Sequence, residues 1–460
     1  MIGVLMHTEL YLDTARLGQM CRGARLAEQD FCWLVSQLGS PLYLERFLTD
    51  GFESLPYRLR RRGRGLACWQ GLARLGKSLG RFVHQPSGLP TYFFGQSSEM
   101  LRFAAEALCS QAHRILVTDL CWPPYLHALR HVAKERERDV CLVKLNGLVS
   151  SDVASSADVV DRVSRTYRAK GCNGVFLSDI SYLGVNLPVE QLLADLDPSF
   201  AVIDGAQALH QRTVDLTKLP CDLYLAGTQK WFGAFHPLRL VFVGRERNMS
   251  SVNDVARSHL VSNYADELFR FHEEVKSSKY PPFGTTVNVS PLICAAGALK
   301  QAKQQTKAHH DHWQVLRTNA EMFVQWTAAS RWQSLKVHSS LGSGIVHLLA
   351  MEEAISQGRL RRDLAKHGVV ATAYDDGSLR FSMPRSYLSL QQLSLVSHAL
   401  SQVRMNATER GLIPHYRSTP NPPPIPDSGK ASRIEPRCTD LDALLALPPP
   451  TTRSPFPQSR

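Results

Sequence analysis

"AVIDGAQALH" (residues 201–210) and "CDLYLAGTQKWFG" (residues 221–233) decide how this chain is read. Each starts as a short apolar run of strand type and ends on a charged residue, Asp204 in the first and Lys230 in the second. A charge at the end of a buried strand costs free energy unless something compensates it. In an open parallel sheet, ligands bind just beyond the carboxyl ends of the strands. Two such ends, one with a fixed anion and one with a fixed amine, mark a site that needs both.

Working outward, further apolar runs read as strands: "RILVTDL" (114–120), "DVCLVKLNG" (139–147), "GVFLSDI" (174–180) and "RLVFVGR" (239–245). Stretches with helical spacing, such as "EMLRFAAEALCSQ" and "YLHALRHVAKERE", separate several of them. Continuous apolar strands alternating with helices predict an α/β fold, with a mainly parallel sheet covered on both faces. Residues 1–90 read as mostly helical, and residues 91–270 form the large α/β domain. Residues 271–405 are expected to hold a linking helix and a smaller α+β domain, ending in the amphipathic stretch "SLQQLSLVSHALSQV". In that region "GSGIVHLLAM" reads as a strand, "RLRRDLAKHG" as a helix stopped at Gly368, and "VVATAYDDGSLRFSM" as a hairpin. From 406 to 460 the chain turns to Pro, Ser, Thr and Arg, a composition expected to stay disordered.

Composition narrows the function classes. With 44% hydrophobic and 20% charged residues, the chain is of the ordinary soluble globular kind, and the cytoplasm is the expected compartment. No apolar stretch reaches the roughly 20 residues of a membrane span. The net charge is +12, concentrated in "RLRRRGRG" (58–65), "RLRRD" (359–363) and the tail. No aromatic-interleaved basic motif accompanies it, so a solvated basic face is expected and no nucleic-acid partner. Ten cysteines are scattered without a C-x-x-C pair or a zinc-like Cys/His spacing, which predicts free thiols. His309, His310 and His312 in "KAHHDHW" read as a solvated helix face, and no metal is expected.

Other strand ends add to the site. Ser97 and Ser98 in "FFGQSSEMLRF" stand where a turn feeds a helix, and the amides of a helix start suit a phosphate. Trp122 follows the strand "RILVTDL". A lysine for a Schiff base, a carboxylate for a pyridinium nitrogen, an aromatic ring and a phosphate cup together make the binding set for pyridoxal 5'-phosphate.

These motifs resemble the class V aminotransferases of fold type I, the group that also contains cysteine desulfurases and kynureninase. "DGAQALH" followed by "DLYLAGTQKWFG" is similar to that family's Asp-x-Ala-Gln and lysine segments; "LYLDTARLG" (10–18), "FGTTVNVSPLICAAGAL" and "LRFSMP" (379–384) are similar to others, in the expected order. The resemblance covers about residues 9–403. It implies Lys230 as the Schiff-base lysine, Asp204 on the pyridine nitrogen and Gln207 on the ring hydroxyl. It implies Ser97, Ser98, Gln229 and Thr228 around the phosphate, and Trp122 against the ring. Gly284 and Thr285 would complete the phosphate site of a second subunit, hence a homodimer, and Arg380 would hold the substrate carboxylate. The segment "TARLGQM" (14–20) would lie near the substrate. One departure is Tyr182, which stands in "DISYLGVNLPV" where relatives carry Asn.

The implied activity is aminotransfer on an α-amino acid, a small-molecule substrate. A kynureninase-type lyase or hydrolase, an epimerase, and a non-catalytic binding protein are the alternatives on the same scaffold. Desulfuration through a loop cysteine is disfavoured, because no cysteine lies between Cys294 and Cys438. Deleting the residues after about 415 is expected to leave soluble protein with unchanged cofactor binding, since a Pro-rich polar segment buries too little apolar surface to offset its ordering entropy. Cofactor titration of the purified truncated chain checks this, and insoluble protein would contradict it.

Overall fold

The computed structural model describes residues 9–39, 46–151, 153–261, 266–276, 287–306, 312–328, 332–350 and 356–403. Its centre is a seven-stranded sheet of β2 (Thr91–Phe94), β3 (Arg114–Thr118), β4 (Asp139–Val143), β5 (Gly174–Ser178), β6 (Phe200–Asp204), β7 (Leu223–Gly227) and β8 (Arg239–Val243), in the order β2-β8-β7-β6-β5-β3-β4. The strands from β7 through β4 are parallel, and β8 runs antiparallel to both its neighbours. Every residue of β5, β6 and β7 is buried. Successive side chains go to opposite faces. Phe176, Val202 and Leu225 pack with Leu101, Ala104 and Leu108 of the Ser97–Gln111 helix. Val175, Leu177 and Ile203 join the core on the other face, with Val163 and Leu192. This two-sided burial is why these strands read as unbroken apolar runs.

The sequence reading passes over β2. "TYFF" is four residues long and leads directly into a turn, so it carries no period of its own. It is set by pairing with β8, Tyr92 opposite Val241.

A second, four-stranded antiparallel sheet holds β9 (Trp332–Ser334), β10 (Ile345–Ala350), β12 (Thr372–Ala373) and β13 (Leu379–Ser382) in the order β12-β13-β10-β9. The expected hairpin is split. Its first residues form β11 (Val369–Val370), which instead pairs in parallel with β1 (Leu10–Tyr11). The helix Gln357–Lys366 ends before Gly368, whose φ of 72° suits glycine. The helix Leu390–Gln402 opens with a capping box between Ser389 and Gln392. No helix among the described residues is long and apolar enough to cross a membrane.

The N-terminal segment departs from the helical expectation at its start. Residues 10–18 run extended and then turn, tying the small sheet to the loop at Lys230. Ser382 N donates to Leu12 O, Ala15 N donates to Ser382 Oγ, and Gly18 N donates to Gln229 O at 2.7 Å. A Cβ on residue 18 would lie 2.0 Å from Lys230 O, so only glycine fits that approach. The helix Arg22–Leu38 follows and packs on the helix Ser290–Thr306.

Beside the carboxyl ends of β5 and β6 sits a buried polar network. The Asp179 carboxylate accepts from Arg212 Nη2 at 2.6 Å and from Tyr224 Oη at 2.8 Å. Removing the carboxylate's charge leaves a mostly buried guanidinium uncompensated. Asp179→Asn is therefore expected to cost about 3–5 kcal/mol of folding stability, the range for breaking a buried pair. Urea unfolding measures it, and a loss under about 1 kcal/mol would show that the network carries no such load.

Candidate active site

β6 and β7 are adjacent and parallel, with Asp204 opposite Leu225. Their carboxyl ends therefore open on the same side, and the residues at and just past them border one cavity of about 520 Å³. Asp204 and Lys230 both line it, with Ser97, Trp122, Tyr182, Gln207, Gln229, Arg239 and Arg380. The strand-end pair proposed from sequence alone is thus brought to one space by the sheet.

Charge is strongly constrained there. Burial raises the Asp204 carboxyl above its usual range, while Lys230 and the Ala206 amide, donating at 3.0 Å, pull it back. Burial lowers the Lys230 ammonium to about 8; Asp204 opposes that shift, and Arg380 and Arg239 add to it. Asp204, Lys230, Arg239 and Arg380 thus border the cavity, and Lys230 stands in the field of the other three.

Arg380 projects from β13 and is only 5% exposed. It donates to Thr372 Oγ1 at 3.2 Å, lies over the Tyr374 ring at 5.6 Å, and has no carboxylate partner among the described residues. Thr372 in turn donates to the buried Asp13. An unpaired buried guanidinium facing a cavity is suited to an anionic ligand.

Arg239 is the residue the sequence reading missed. It was read as the start of a strand, and strand starts normally lie at the far edge of a parallel sheet. β8 runs the other way, so its first residue lies opposite Gly227, at the carboxyl end of β7. No local signal marks that reversal. The Arg239 Nε is buried without a hydrogen-bond partner, and so is Gln229 Oε1. Burial lowers the Arg239 guanidinium, and Tyr125 partly offsets it.

The helix Ser97–Gln111 begins at the same end of the cavity. The Asp266 carboxylate accepts from the preceding amides, Gly95 at 3.0 Å and Gln96 at 2.9 Å. The first helical amides, those of Ser97 and Ser98, have no intrahelical acceptor. Ser97 itself borders the cavity and meets Tyr125. Ser98 is exposed and does not border it.

Three other implied roles look different in place. Thr228 is fully buried; its hydroxyl donates to His236 O at 3.2 Å and accepts from Leu238 N at 3.3 Å, so it braces the loop instead of facing the cavity. Gln207 borders the cavity, but its amide donates to Ala15 O and accepts from Trp231 Nε1, both at 2.9 Å. Trp122 caps the helix Pro123–Glu135 and meets Tyr182 edge-on at 5.1 Å, with Tyr374 at 6.3 Å. Of the segment 14–20, Ala15 and Arg16 reach this cavity, while Thr14, Gly18 and Gln19 line a neighbouring one on the other side of Lys230. Gly284, Thr285, His309 and His310 lie outside the described residues.

Residues 81–235, which carry Ser97, Trp122, Asp204, Gln207 and Lys230, match the sequence model of the class-V aminotransferases. Over these residues the chain is similar to the class-V aminotransferases. No curated protein matches it by sequence. Among solved structures it is similar to the cystine C-S lyase C-DES in complex with its reaction product cysteine persulfide, at 12% identity and a TM-score of 0.62, over 86% of this chain and 98% of that one. It is also similar to the cysteine desulfurase CsdA from Escherichia coli, at 14% identity and a TM-score of 0.62, over 87% and 96%. A third is an aspartate aminotransferase of subgroup IV from Thermus thermophilus, at 12% identity and a TM-score of 0.56, over 86% and 100%. Identities this low speak to the fold, which is fold type I of the pyridoxal-phosphate enzymes.

The residues present fit that cofactor. Orphaned polar atoms on Gln229 and Arg239 stand near a helix start for a phosphate, and a buried amine and a carboxylate stand where the ring would attach and pair. The Lys230 value has a direct consequence in the cofactor-free protein. An amine reacts with acylating reagents only when unprotonated, so modification of Lys230 should rise with pH and level off just above 8. Surface lysines should keep climbing to about 10.4. Peptide mass spectrometry after brief labelling across pH resolves the two profiles; a Lys230 profile coinciding with the surface lysines would contradict the assignment.

Proposed function

We propose that this protein is a pyridoxal-phosphate-dependent aminotransferase acting on an α-amino acid, with Lys230 as the cofactor-bearing lysine. The observation that carries the reading is the single cavity bordered by a buried amine with its pKa near 8, a strand-end carboxylate and the unpaired Arg380. Pyridoxal phosphate supplies an electron sink for negative charge at the substrate α-carbon.

The chain's own residues supply the rest. Asp204 would face the pyridine nitrogen and favour its protonated form. Ser97, Gln229, Arg239 and the helix-start amides would hold the phosphate. Trp122 would lie against the ring, and Arg380 would take the substrate carboxylate as a bidentate pair. Lys230, the amine among the residues lining the cavity, would carry the proton to and from the α-carbon. A pKa near 8 lets it alternate between base and acid close to neutral pH. A homodimer belongs to the same reading, with Gly284 and Thr285 expected to reach the phosphate site of the partner subunit.

Elimination at the substrate β-carbon would use the same base and the same cofactor, so the products decide between transferase and lyase. Sulfur transfer through a cysteine on a loop ahead of Arg380 lacks its nucleophile here, because residues 295–437 contain no cysteine.

Borohydride reduction of the holoprotein is expected to fix the cofactor on Lys230, read by peptide mapping. On a panel of amino acids with keto-acid acceptors, the bound cofactor should pass to its pyridoxamine form and the acceptor should gain an amino group. Release of ammonia and a side-chain fragment instead would overturn aminotransfer while keeping the cofactor assignment. A cofactor fixed to another lysine, or none at all, would overturn both. Asp204→Asn should still bind cofactor but lose roughly 100-fold or more in turnover, equivalent to about 3 kcal/mol of transition-state stabilisation. Near-normal turnover in that variant would remove Asp204 from the mechanism.

A further inference from the structure

Outside the cavity, one cluster among the described residues brings together a thiol, an imidazole and a carboxylate. The donor atoms of Cys294, His236 and Glu28 all lie within 4.8 Å of one another. Glu28 Oε2 accepts from Cys294 Sγ at 2.6 Å and is 2.8 Å from His236 Nε2. The three come from three separate elements: the helix Arg22–Leu38, the helix Ser290–Thr306, and the loop between Lys230 and β8. Their wide separation in sequence is why no ligand spacing was visible there.

We propose that Glu28, His236 and Cys294 form a zinc site that staples the lysine-bearing loop to the two helices.

Four features support it. First, the donor set is mixed N, O and S. Zinc accepts all three, whereas calcium and magnesium take oxygen. Second, the spacing is close to a metal's coordination sphere. Bonds of about 2.0–2.3 Å to a tetrahedral zinc place neighbouring donors about 3.3–3.7 Å apart, so the cluster needs to open by only about an ångström. Third, Cys294 is fully buried, while Glu28 and His236 are 20% and 29% exposed. That geometry gives an entry path and leaves an outward position for water. Fourth, the backbone is bent to aim the imidazole. His236 N donates to Ala234 O at 2.8 Å, closing a three-residue turn centred on Phe235 with φ of 64°. A turn of that hand at an aromatic residue is strained, and such strain persists where the surroundings over-determine it.

Zinc binding would displace the Cys294 thiol proton to solvent, leaving a thiolate ligand. Glu28 would bind as carboxylate and His236 as neutral imidazole through Nε2. The loop so held is the one whose His236 and Leu238 backbone groups bond Thr228, two residues before Lys230. The site is therefore structural, and its presence does not depend on which reaction the cavity performs.

The test uses the full-length holoprotein, stripped with a chelator and reloaded with zinc. After desalting, metal is quantified by elemental mass spectrometry beside His236→Gln and Cys294→Ser. The partly exposed His236 position guards against loss of folding in the buried one. One equivalent of zinc should stay with the wild type, and affinity should fall about tenfold or more in each variant. Zinc should raise the wild-type Tm by about 2 °C or more and leave the variants' unchanged. X-ray absorption should show one sulfur near 2.3 Å and lighter ligands near 2.0 Å, to about 0.1 Å. Equal zinc retention in wild type and variants would point to the histidines at 309–312 and overturn the proposal. So would an absorption spectrum without sulfur, or no retained zinc in the wild type.

Discussion

Asp204 and Lys230 share one buried cavity, and each sets the charge the other can hold. Burial alone would push the acid towards its protonated form and the amine towards its neutral one. Each opposes that change in its neighbour by Coulomb attraction. The result is an amine near neutrality beside an acid whose charge needs a cation. That balance requires the two groups to stand at the ends of adjacent parallel strands, and the sheet is built to provide it. β5, β6 and β7 are buried along their whole length, so they are rigid supports for groups that would otherwise relax into water.

The remainder of the site is positioned by two departures from a plain parallel sheet. The antiparallel β8 places Arg239 at the open end of the cavity. The N-terminal segment, threaded between the small sheet and the Lys230 loop, holds that loop through Gly18 and Gln207's partner Ala15. These contacts link the cavity-facing Arg380 on β13 to the lysine-bearing loop through Ser382 and Ala15. The cavity is thus a joint product of both sheets: Asp204 and Arg239 come from the large one and Arg380 from the small one.

An aromatic wall borders the same cavity. Tyr182 meets Trp122 and Tyr374 in a three-ring cluster, with His347 stacked on Tyr374 at 5.7 Å. Such rings offer mainly apolar surface with a polar edge.

Local chemistry in the sequence determined the sheet's core strands, the Asp204–Lys230 pair and the helix start at Ser97. Fully buried strands show as apolar runs, and a charge at the end of such a run stands out against it. The sequence also carried the late helix, through the amphipathic spacing of "SLQQLSLVSHALSQV". Only the tertiary structure decided the direction of β8, and with it the role open to Arg239, because strand direction leaves no mark on side-chain periodicity. It also withdrew Thr228 and Ser98 from the cavity wall, since a hydroxyl's target depends on loop geometry and a helix residue's exposure on what packs beside it. The Glu28–His236–Cys294 cluster was illegible for the same physical reason: its three donors meet through helix packing and one strained turn, and none of them is near another along the chain.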